Sequence, residues 1–390
     1  MPKSNRIGPL IASLVPLCFA LGCGGDDSAA ATGDGGFVAT DASRDATTAT
    51  DGGANGDGAK PDGGVVGADG GDGGAEAAAP SIQGFVGGTN LSGAEFGPVP
   101  GVYGADYTYP THAEIDYFTA KGFRVVRIPF LWERLQPSLG QGFDVNELAR
   151  LTDVVTYTTS KGAYALIDPH DYARYGGKVI GDTAGGSTVT TAEFASFWSK
   201  LAAAFAKAPR AVFGLMNEPH DLSVDLWLAD ANAAISAIRA AGARNVVFVP
   251  GDAWTGAHSW LDNSNAAVML GIKDPIDNYV YEVHQYLDSD FSGTHATCVS
   301  TTIGSETLVA FTQWLKQNQR RGFLGEFGAA NNATCMTALD DMLAYIDKHR
   351  DVWVGWTWWS AGPWWGNYMF SIEPANGQDA PQTATLVKHL

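Results

Sequence analysis

Residues 211–219 read Ala-Val-Phe-Gly-Leu-Met-Asn-Glu-Pro, a short apolar run that ends in Asn217, Glu218 and Pro219. A run of this length and composition is typical of a buried strand. The segments on either side, 192–207 and 226–241, repeat apolar residues at intervals of three and four, as amphipathic helices do. The stretch therefore predicts a helix, a strand and a helix in succession, with polar residues at the carboxyl end of the strand.

The same alternation extends in both directions along the chain. Segments 114–121, 145–161 and 306–320 also show the helical repeat, and eight apolar runs suit strands. Such alternation predicts a single (β/α)8 TIM barrel of the α/β class. A doubly wound open sheet is the alternative, but no Gly-x-Gly-x-x-Gly follows the first strand. The predicted strands are 84–91, 123–130, 163–169, 211–217, 245–250, 279–285, 323–327 and 352–360.

The composition suits one large core with a neutral, polar exterior. Of the 390 residues, 45% are hydrophobic and 17% are charged, and the net charge is −18. Half of this charge lies in residues 24–79, where ten Asp and one Glu face only Arg44 and Lys60. Because nucleic-acid binding depends on clustered Lys and Arg, this balance argues against nucleic acid as a partner.

The N-terminal segments differ from the rest of the chain. Residues 1–23 combine two basic residues with an interrupted apolar stretch, which predicts a secretion signal. Residues 24–79 contain 16 glycines and few aromatic or branched residues, so we predict a flexible acidic linker. The barrel domain is then expected to span residues 80–390.

Cys23 ends the predicted signal in the context Leu-Gly-Cys, which resembles a bacterial lipobox. This resemblance implies a lipid on Cys23 and a cell-surface protein; the alternative is cleavage near Gly22 or Gly25 and free secretion. We expect the protein to contact a membrane only through this lipid anchor.

Cys298 and Cys335 lie in the predicted folded region. Because a secretion signal implies export to an oxidising space, a disulfide between them is the favoured interpretation, and two reduced thiols are the alternative. No Cys-x-x-Cys or Cys/His cluster accompanies them, which argues against zinc.

Two glutamates end predicted strands. Glu218 follows the fourth strand and Glu326 ends the seventh, in Gly-Glu-Phe-Gly. In a TIM barrel the strand ends meet at one face, where the active site forms. Glycoside hydrolysis needs one protonated carboxyl for the leaving oxygen and one ionised carboxylate at the anomeric carbon. The sequence therefore predicts a glycosidase site built on this pair.

Several motifs together resemble glycoside hydrolase family 5. They are Arg-Ile-Pro-Phe at 127–130, Asn-Glu-Pro at 217–219, His-Gln-Tyr at 284–286 and Glu326. The similarity extends from about residue 84 to 368, and the segments 88–93 and 168–175 resemble the endoglucanase branch that includes fungal cellulases. The resemblance implies a retaining hydrolase without a cofactor or metal, with Glu218 as acid/base and Glu326 as nucleophile.

The resemblance also implies supporting roles. Arg127 is expected to bind Glu326, keep it ionised and lower its pKa, and Asn217 to hold the sugar 2-hydroxyl. The side chains expected to orient carboxylates and hydroxyls are His170, His284 and Tyr286.

Aromatic side chains are expected to form the sugar subsites, since pyranose rings stack on flat apolar faces. By its match to the family, Trp359 is expected to form the floor of the subsite beside the catalytic pair. Trp364 and Trp365 are further cleft candidates, and Tyr172 or Tyr175 is expected to add a contact. Other predictions are that Trp356 lies in the core and that Asp171 adds a negative charge near the cleft.

The favoured function is that of a secreted or cell-surface, monomeric endo-β-1,4-glucanase. Another family 5 β-glycanase, such as a mannanase or xyloglucanase, is the main alternative. A non-catalytic carbohydrate-binding barrel is a second one.

Overall fold

The computed structural model describes residues 79–390, and these form a closed barrel of eight parallel strands, as predicted. Each strand pairs with the next along the chain, and the last pairs with the first, so the barrel has no open strand edge. The predicted strand ends differ from the observed ones by a few residues. The strands are β1 (Val86–Leu91), β2 (Val125–Phe130), β3 (Tyr164–Pro169), β4 (Ala211–Gly214), β5 (Val247–Pro250), β6 (Tyr279–His284), β7 (Gly322–Glu326) and β8 (Trp353–Ala361).

A helix follows each barrel strand, and a further one-turn helix, Trp132–Leu135, lies between β2 and α2. α1 and α3 each begin with a capping box, in which Thr111 and Glu114, or Thr190 and Glu193, satisfy each other's free backbone N–H groups. α5 is only one turn long and continues as a 3-10 helix. The helices are α1 (His112–Ala120), α2 (Val145–Ser160), α3 (Thr191–Phe205), α4 (Val224–Ala240), α5 (Asn265–Val268), α6 (Ile303–Gln317), α7 (Ala333–Lys348) and α8 (Pro381–Lys388).

The barrel interior changes from apolar to polar toward the carboxyl ends of the strands. Alternate residues of a strand point to the same face, so the inward positions after Val125 on β2 and Leu166 on β3 are Arg127 and Asp168. The same step from Val280 on β6 reaches the buried Glu282. A polar layer therefore lies above an apolar floor, which comprises Ile82, Val86, Val125, Tyr164, Leu166, Val212, Val246, Phe248, Val280, Phe323 and Val354.

Two predictions about the folded region are confirmed. Trp356 is fully buried in the core. Cys298 and Cys335 form a disulfide with a Cα–Cα distance of 5.2 Å, so the alternative of two reduced thiols is wrong. The bridge joins the loop after β6 to the first turn of α7.

The predicted signal segment 1–23, with Cys23, and the predicted linker as far as residue 78 lie outside the described residues. Within residues 79–390, no helix has the length and apolar character needed to cross a bilayer.

Candidate active site

Arg127 is at the centre of the polar layer. Its Nη1 donates a hydrogen bond to Oε1 of Glu326 at 2.7 Å, and its Nη2 donates to Oδ1 of Asn217 at 2.8 Å. Carboxylate oxygens of Asp168 and Glu282 lie 3.1 and 3.2 Å from Nη2 and Nε. Burial alone would lower the pKa of the guanidinium, but the three surrounding carboxylates raise it above its ordinary value. Arg127 therefore stays charged and fixes several strand ends relative to one another.

Glu326 is held through both of its carboxylate oxygens. Oε1 accepts from Arg127, and Oε2 accepts from the hydroxyl of Tyr286 at 2.9 Å. The expected contact with Arg127 is present and lowers the pKa of Glu326 as predicted, but the net pKa lies above its ordinary value. Burial raises the pKa of this carboxyl, and Glu218 adds to the rise, against the opposing effects of His284 and Arg127. The sequence could not reveal how deeply the carboxyl is buried.

Glu218 faces Glu326 across the barrel mouth. Its backbone adopts a left-handed φ of 39°, which is uncommon for a residue other than glycine and is often found at functional sites. Nδ1 of His284 lies 2.7 Å from Oε1 of Glu218 and 3.7 Å from Oε2 of Glu326. One oxygen of each carboxylate and a nitrogen of His284 all lie within 4.8 Å of one another. The two acids therefore share one small space.

His284 is a cation between three carboxylates. Burial favours the neutral ring, but Glu326, Glu218 and Glu282 together raise the pKa of His284 to about 10. At neutral pH the ring is protonated, so Nδ1 donates its hydrogen to Glu218.

His170 and Asn217 form a chain of hydrogen bonds with Asp168. Because Oδ1 of Asn217 accepts from Arg127, its Nδ2 faces Nε2 of His170 at 3.1 Å, which requires a lone pair on that nitrogen. Nδ1 of His170 then donates to Asp168 at 2.9 Å. Burial opposes protonation of His170, but Asp168 and Glu326 raise its pKa above the ordinary value. The two hydrogen bonds are satisfied by a ring with its hydrogen on Nδ1 and a lone pair on Nε2.

A cavity of about 560 Å³ opens above the two glutamates. The indole of Trp359 forms part of its wall and stacks on the ring of His170, with 5.3 Å between centroids. Tyr172 also lines it, beside His170. The lining residues are His170, Tyr172, Glu218, Tyr286, Ser292, Gly293, Thr294, Glu326, Trp359, Asn367, Tyr368 and Met369.

The other predicted aromatic contacts do not line this cavity. Trp365 packs behind Trp359 and stacks on Tyr368 at 4.4 Å. Trp364 is 40% exposed farther out. Tyr175 instead donates its hydroxyl to the backbone oxygen of Gln136 at 2.7 Å, so of the two tyrosines Tyr172 is the one at the cavity.

The expectation that Asp171 adds negative charge near the cleft is wrong. Asp171 is buried and accepts the backbone N–H of Trp132 at 2.8 Å. Burial and the nearby carboxyl of Glu133 raise the pKa of Asp171 well above its ordinary value, which disfavours the charged form.

The sequence interpretation missed several cavity residues. Ser292, Gly293 and Thr294 lie in the loop after β6, and Asn367 and Tyr368 lie in the loop after β8. The rule that barrel sites are built from the loops at the strand carboxyl ends could have indicated both loops. A further aromatic pair that the sequence did not indicate lies outside this cavity: Trp254 is half exposed and stacks on His220 at 4.5 Å.

Two clusters of ligand-type side chains occur within residues 79–390. The first is Glu218, His284 and Glu326; the second is formed by Asp288, Asp290 and His295. In the first, the protonated His284 offers no lone pair at Nδ1. In the second, the Asp288 carboxylate already accepts three backbone N–H groups.

Comparisons with known proteins agree with this geometry. The family model described as Cellulase (glycosyl hydrolase family 5) matches residues 83–362. Endo-β-1,4-glucanase B of Aspergillus niger is 47% identical over 293 residues, covering 74% of this chain and 85% of that protein.

Solved structures show the same similarity. XacCel5A in complex with cellopentaose is 44% identical with a TM-score of 0.76, covering 79% of this chain and 99% of the other. An endo-β-1,4-glucanase from Xanthomonas axonopodis pv. citri is 45% identical with a TM-score of 0.75, covering 78% and 98%.

Proposed function

Because the chain belongs to glycosyl hydrolase family 5, we infer that it is an endo-β-1,4-glucanase, and we propose that Glu326 and Glu218 carry out the reaction by double displacement. Glu326 is the nucleophile and Glu218 is the acid/base. The observation that carries this proposal is the spacing of the two acids, whose nearest oxygens lie within 4.8 Å of each other. Retaining glycosidases keep their carboxyl groups about 5 to 5.5 Å apart, whereas inverting enzymes leave a wider gap for water.

In the first step, the Glu326 carboxylate forms a bond to the anomeric carbon while the glycosidic C–O bond breaks. The oxygen of Glu218 that His284 does not bind donates its proton to the departing oxygen. In the second step, Glu218 takes a proton from water, the water oxygen attacks the anomeric carbon, and the bond to Glu326 breaks.

The supporting side chains act on these two carboxyl groups and on the sugar. Arg127 and Tyr286 hold Glu326 through hydrogen bonds, and His284 orients Glu218. The second hydrogen on Nδ2 of Asn217 is free for the sugar 2-hydroxyl, a contact that strengthens in the transition state.

Aromatic side chains bind the glucan chain. Trp359 forms the floor of the subsite next to the catalytic pair, and its indole stacks on His170. Tyr172 contacts the sugar ring in the same subsite. The more distant sugars reach Trp364, with Trp365 supporting Trp359 from behind.

Azide rescue tests the nucleophile. Glu326→Ala is expected to lose turnover, and azide is expected to restore reaction on an activated aryl cellobioside by entering the vacated space. The product would be a glycosyl azide of inverted configuration, identified by NMR. Absence of rescue in a folded variant would contradict the assignment of Glu326.

The substrate preference is tested by product profiles on carboxymethyl cellulose, mannan, xyloglucan and defined cello-oligosaccharides. We expect internal cleavage of the β-1,4-glucan, since relatives of this chain carry the name endo-β-1,4-glucanase and one is solved with cellopentaose. Faster turnover of mannan or xyloglucan would favour the other β-glycanases of the family. Binding without turnover would favour a non-catalytic barrel.

The enzyme works outside the cytoplasm as a monomer, anchored to the cell surface by a lipid on Cys23. The disulfide supports an oxidising location.

A further inference from the structure

We propose that the turn at residues 288–295 positions Tyr286 for its hydrogen bond to Glu326, with Asp288 as the organising residue and Gly293 as the point of contact. Nothing in the double-displacement scheme itself requires this turn. The inference rests on the proposed role of Glu326, and it adds two positioning residues that do not touch the reacting atoms.

Asp288 folds the turn around its own carboxylate. Oδ1 accepts the backbone N–H of Gly293 at 3.0 Å, and Oδ2 accepts those of Thr294 and His295, both at 3.1 Å. The hydroxyl of Ser292 donates to Oδ2 at 3.2 Å. Although Ser289 and Asp290, which follow it, are exposed, the Asp288 side chain is 2% exposed. One buried carboxylate thus replaces the regular backbone pairing that this segment lacks.

Gly293 is the residue through which the turn meets the active site. It adopts a left-handed φ of 72°, and it is buried although Ser292 and Thr294 are exposed. A Cβ built on Gly293 would come within 2.6 to 2.7 Å of Cδ1, Cε1 and Cγ of Tyr286. Real Cβ atoms do not approach a ring so closely, so the Gly293 backbone already rests against the Tyr286 ring, with no room for a side chain.

Contact with the ring determines where the phenol points. Tyr286 also lies parallel to the ring of Phe370, at 6.1 Å between centroids. Its hydroxyl donates to Oε2 of Glu326 at 2.9 Å. Because the ring plane is set by its packing partners, the fold of the turn sets the direction of the hydroxyl. A donated hydrogen bond favours the ionised form of a carboxyl group, so the turn acts on the protonation of Glu326.

The turn is fixed to the scaffold at its far end. The Cys298–Cys335 disulfide ties it to α7, and Nδ2 of Asn332 donates to the backbone oxygen of Ala296 at 2.8 Å. The backbone N–H of Val299 donates to the oxygen of Leu287 at 3.0 Å and closes the loop. Movement of Gly293 away from Tyr286 is therefore resisted from both ends.

The test is a double-mutant cycle read in the pH dependence of kcat/KM on an aryl cellobioside. Tyr286→Phe removes the hydrogen bond and is expected to shift the acidic limb upward by about one pH unit. Gly293→Ala is expected to shift the same limb in the same direction by pushing the ring away. In the Tyr286→Phe background, Gly293→Ala should add no further shift, because the hydroxyl whose hydrogen bond it would weaken is already absent.

Two further variants control for backbone strain and for misfolding. Gly242 has a similar φ of 81° with open space around it, so Gly242→Ala tests left-handed strain alone and should leave the pH profile unchanged. Asp288→Asn adds no bulk but turns an N–H group toward the backbone donors, and it should reproduce the upward shift. If Gly293→Ala does not fold, the pH profile of Asp288→Asn alone tests the positioning role of the turn.

An additive shift in the double variant, or an unchanged profile for both Gly293→Ala and Asp288→Asn, would overturn the positioning role. If Tyr286→Phe alone leaves the profile unchanged while Glu326→Ala abolishes turnover, the positioning role falls and the catalytic assignment stands. Turnover that survives in Glu326→Ala would instead refute the proposed mechanism itself.

Discussion

At the scale of single residues, the two glutamates differ in their surroundings more than in their positions. The Glu326 side chain is 5% exposed and bound on both oxygens, whereas the Glu218 side chain is 16% exposed and bound by His284 at one oxygen. An acid that exchanges protons with water and with a leaving group needs a free oxygen at the cleft. The residue bound on both oxygens suits the nucleophile, which must be held in line with the anomeric carbon.

The assignment of Glu218 leads to a prediction about leaving groups. Glu218→Ala should lower kcat/KM for cello-oligosaccharides by about 100- to 10,000-fold, because their alkoxide leaving groups need a proton. Dinitrophenyl cellobioside needs no such help, so its kcat/KM should fall only a few-fold. Steady-state kinetics on both substrates checks this, and equal losses would speak against Glu218 as the acid.

The sequence predicted the side chains that end strands better than those buried beneath them. Glu218 and His284 follow apolar runs at strand ends, so their place at the barrel mouth could be inferred, whereas Arg127 lies inside β2. Asp168 and Glu282 are single acids within strands, and nothing in the local pattern says that both contact Arg127. The direction of the Glu326 pKa depends on this enclosure, which only the closed barrel creates.

At the scale of elements, α4 contains a carboxyl group that costs stability. Asp230 is fully buried near Gly181 and the Thr191 hydroxyl. Burial raises its pKa to about 6 from an ordinary value of 3.8. A raised folded-state pKa means that the folded protein loses stability as pH rises from about 4 through 6, where the group must ionise without water.

Asp230→Asn should therefore stabilise the protein at pH 8 by about 3 kcal/mol and have little effect at pH 4. Chemical denaturation at both pH values measures the difference. Asp225→Asn, at an exposed position on the same helix, is the matched control and should show no such gain. Equal effects of Asp230→Asn at the two pH values would refute the account.

The disulfide is expected to stabilise the fold by restricting the unfolded chain. It spans 37 residues, and a loop of this size corresponds to about 4 kcal/mol in the chain-entropy model. Replacing both Cys298 and Cys335 by Ser should lower Tm, and a reductant should lower Tm of the wild type but not of this variant. A variant as stable as the wild type would show that the bridge adds nothing.

Most of the long elements were predicted from the sequence, and the shortest ones were not. The five predicted helices correspond to α1, α2, α3, α4 and α6. α7 was not picked out, although its buried positions recur at three and four, from Ala338 and Leu339 to Met342, Leu343 and Ile346. α5 and the two-residue strands Arg174–Tyr175 and Lys178–Val179 are too short to show any period, since tertiary contacts decide their conformation.

At the scale of the whole molecule, closure of the sheet is what brings the site together. Residues from β2, β3, β6 and β7 meet around Arg127 only because the last strand returns to pair with the first. The alternation of strands and helices predicted this closure, since eight repeats fill a barrel. The N-terminal segments have no such pattern, and their interpretation depends on composition alone.

The proposed lipid anchor on Cys23 determines where the whole 390-residue protein is located in the cell. Cys23→Ala should move the protein from the membrane fraction to the soluble fraction of the expressing cells or their medium, because the acylated residue is lost. Immunoblotting of the fractions checks this, with Cys18→Ala as a control that keeps the predicted lipid site. Unchanged fractionation of Cys23→Ala would remove the lipoprotein interpretation.

The apolar floor beneath the polar layer restricts proton exchange between the active site and the solvent to one end of the barrel. Water and hydronium reach Arg127, His284 and the carboxylates from the barrel mouth, because the opposite end is packed with side chains such as Val125, Leu166 and Phe248. A glucan chain lying across the mouth covers that entrance. The protonation states of Glu218, Glu326 and His284 at the start of each catalytic cycle are therefore set while the cleft is empty. The pH of the medium then acts more on the free enzyme than on the enzyme with substrate bound.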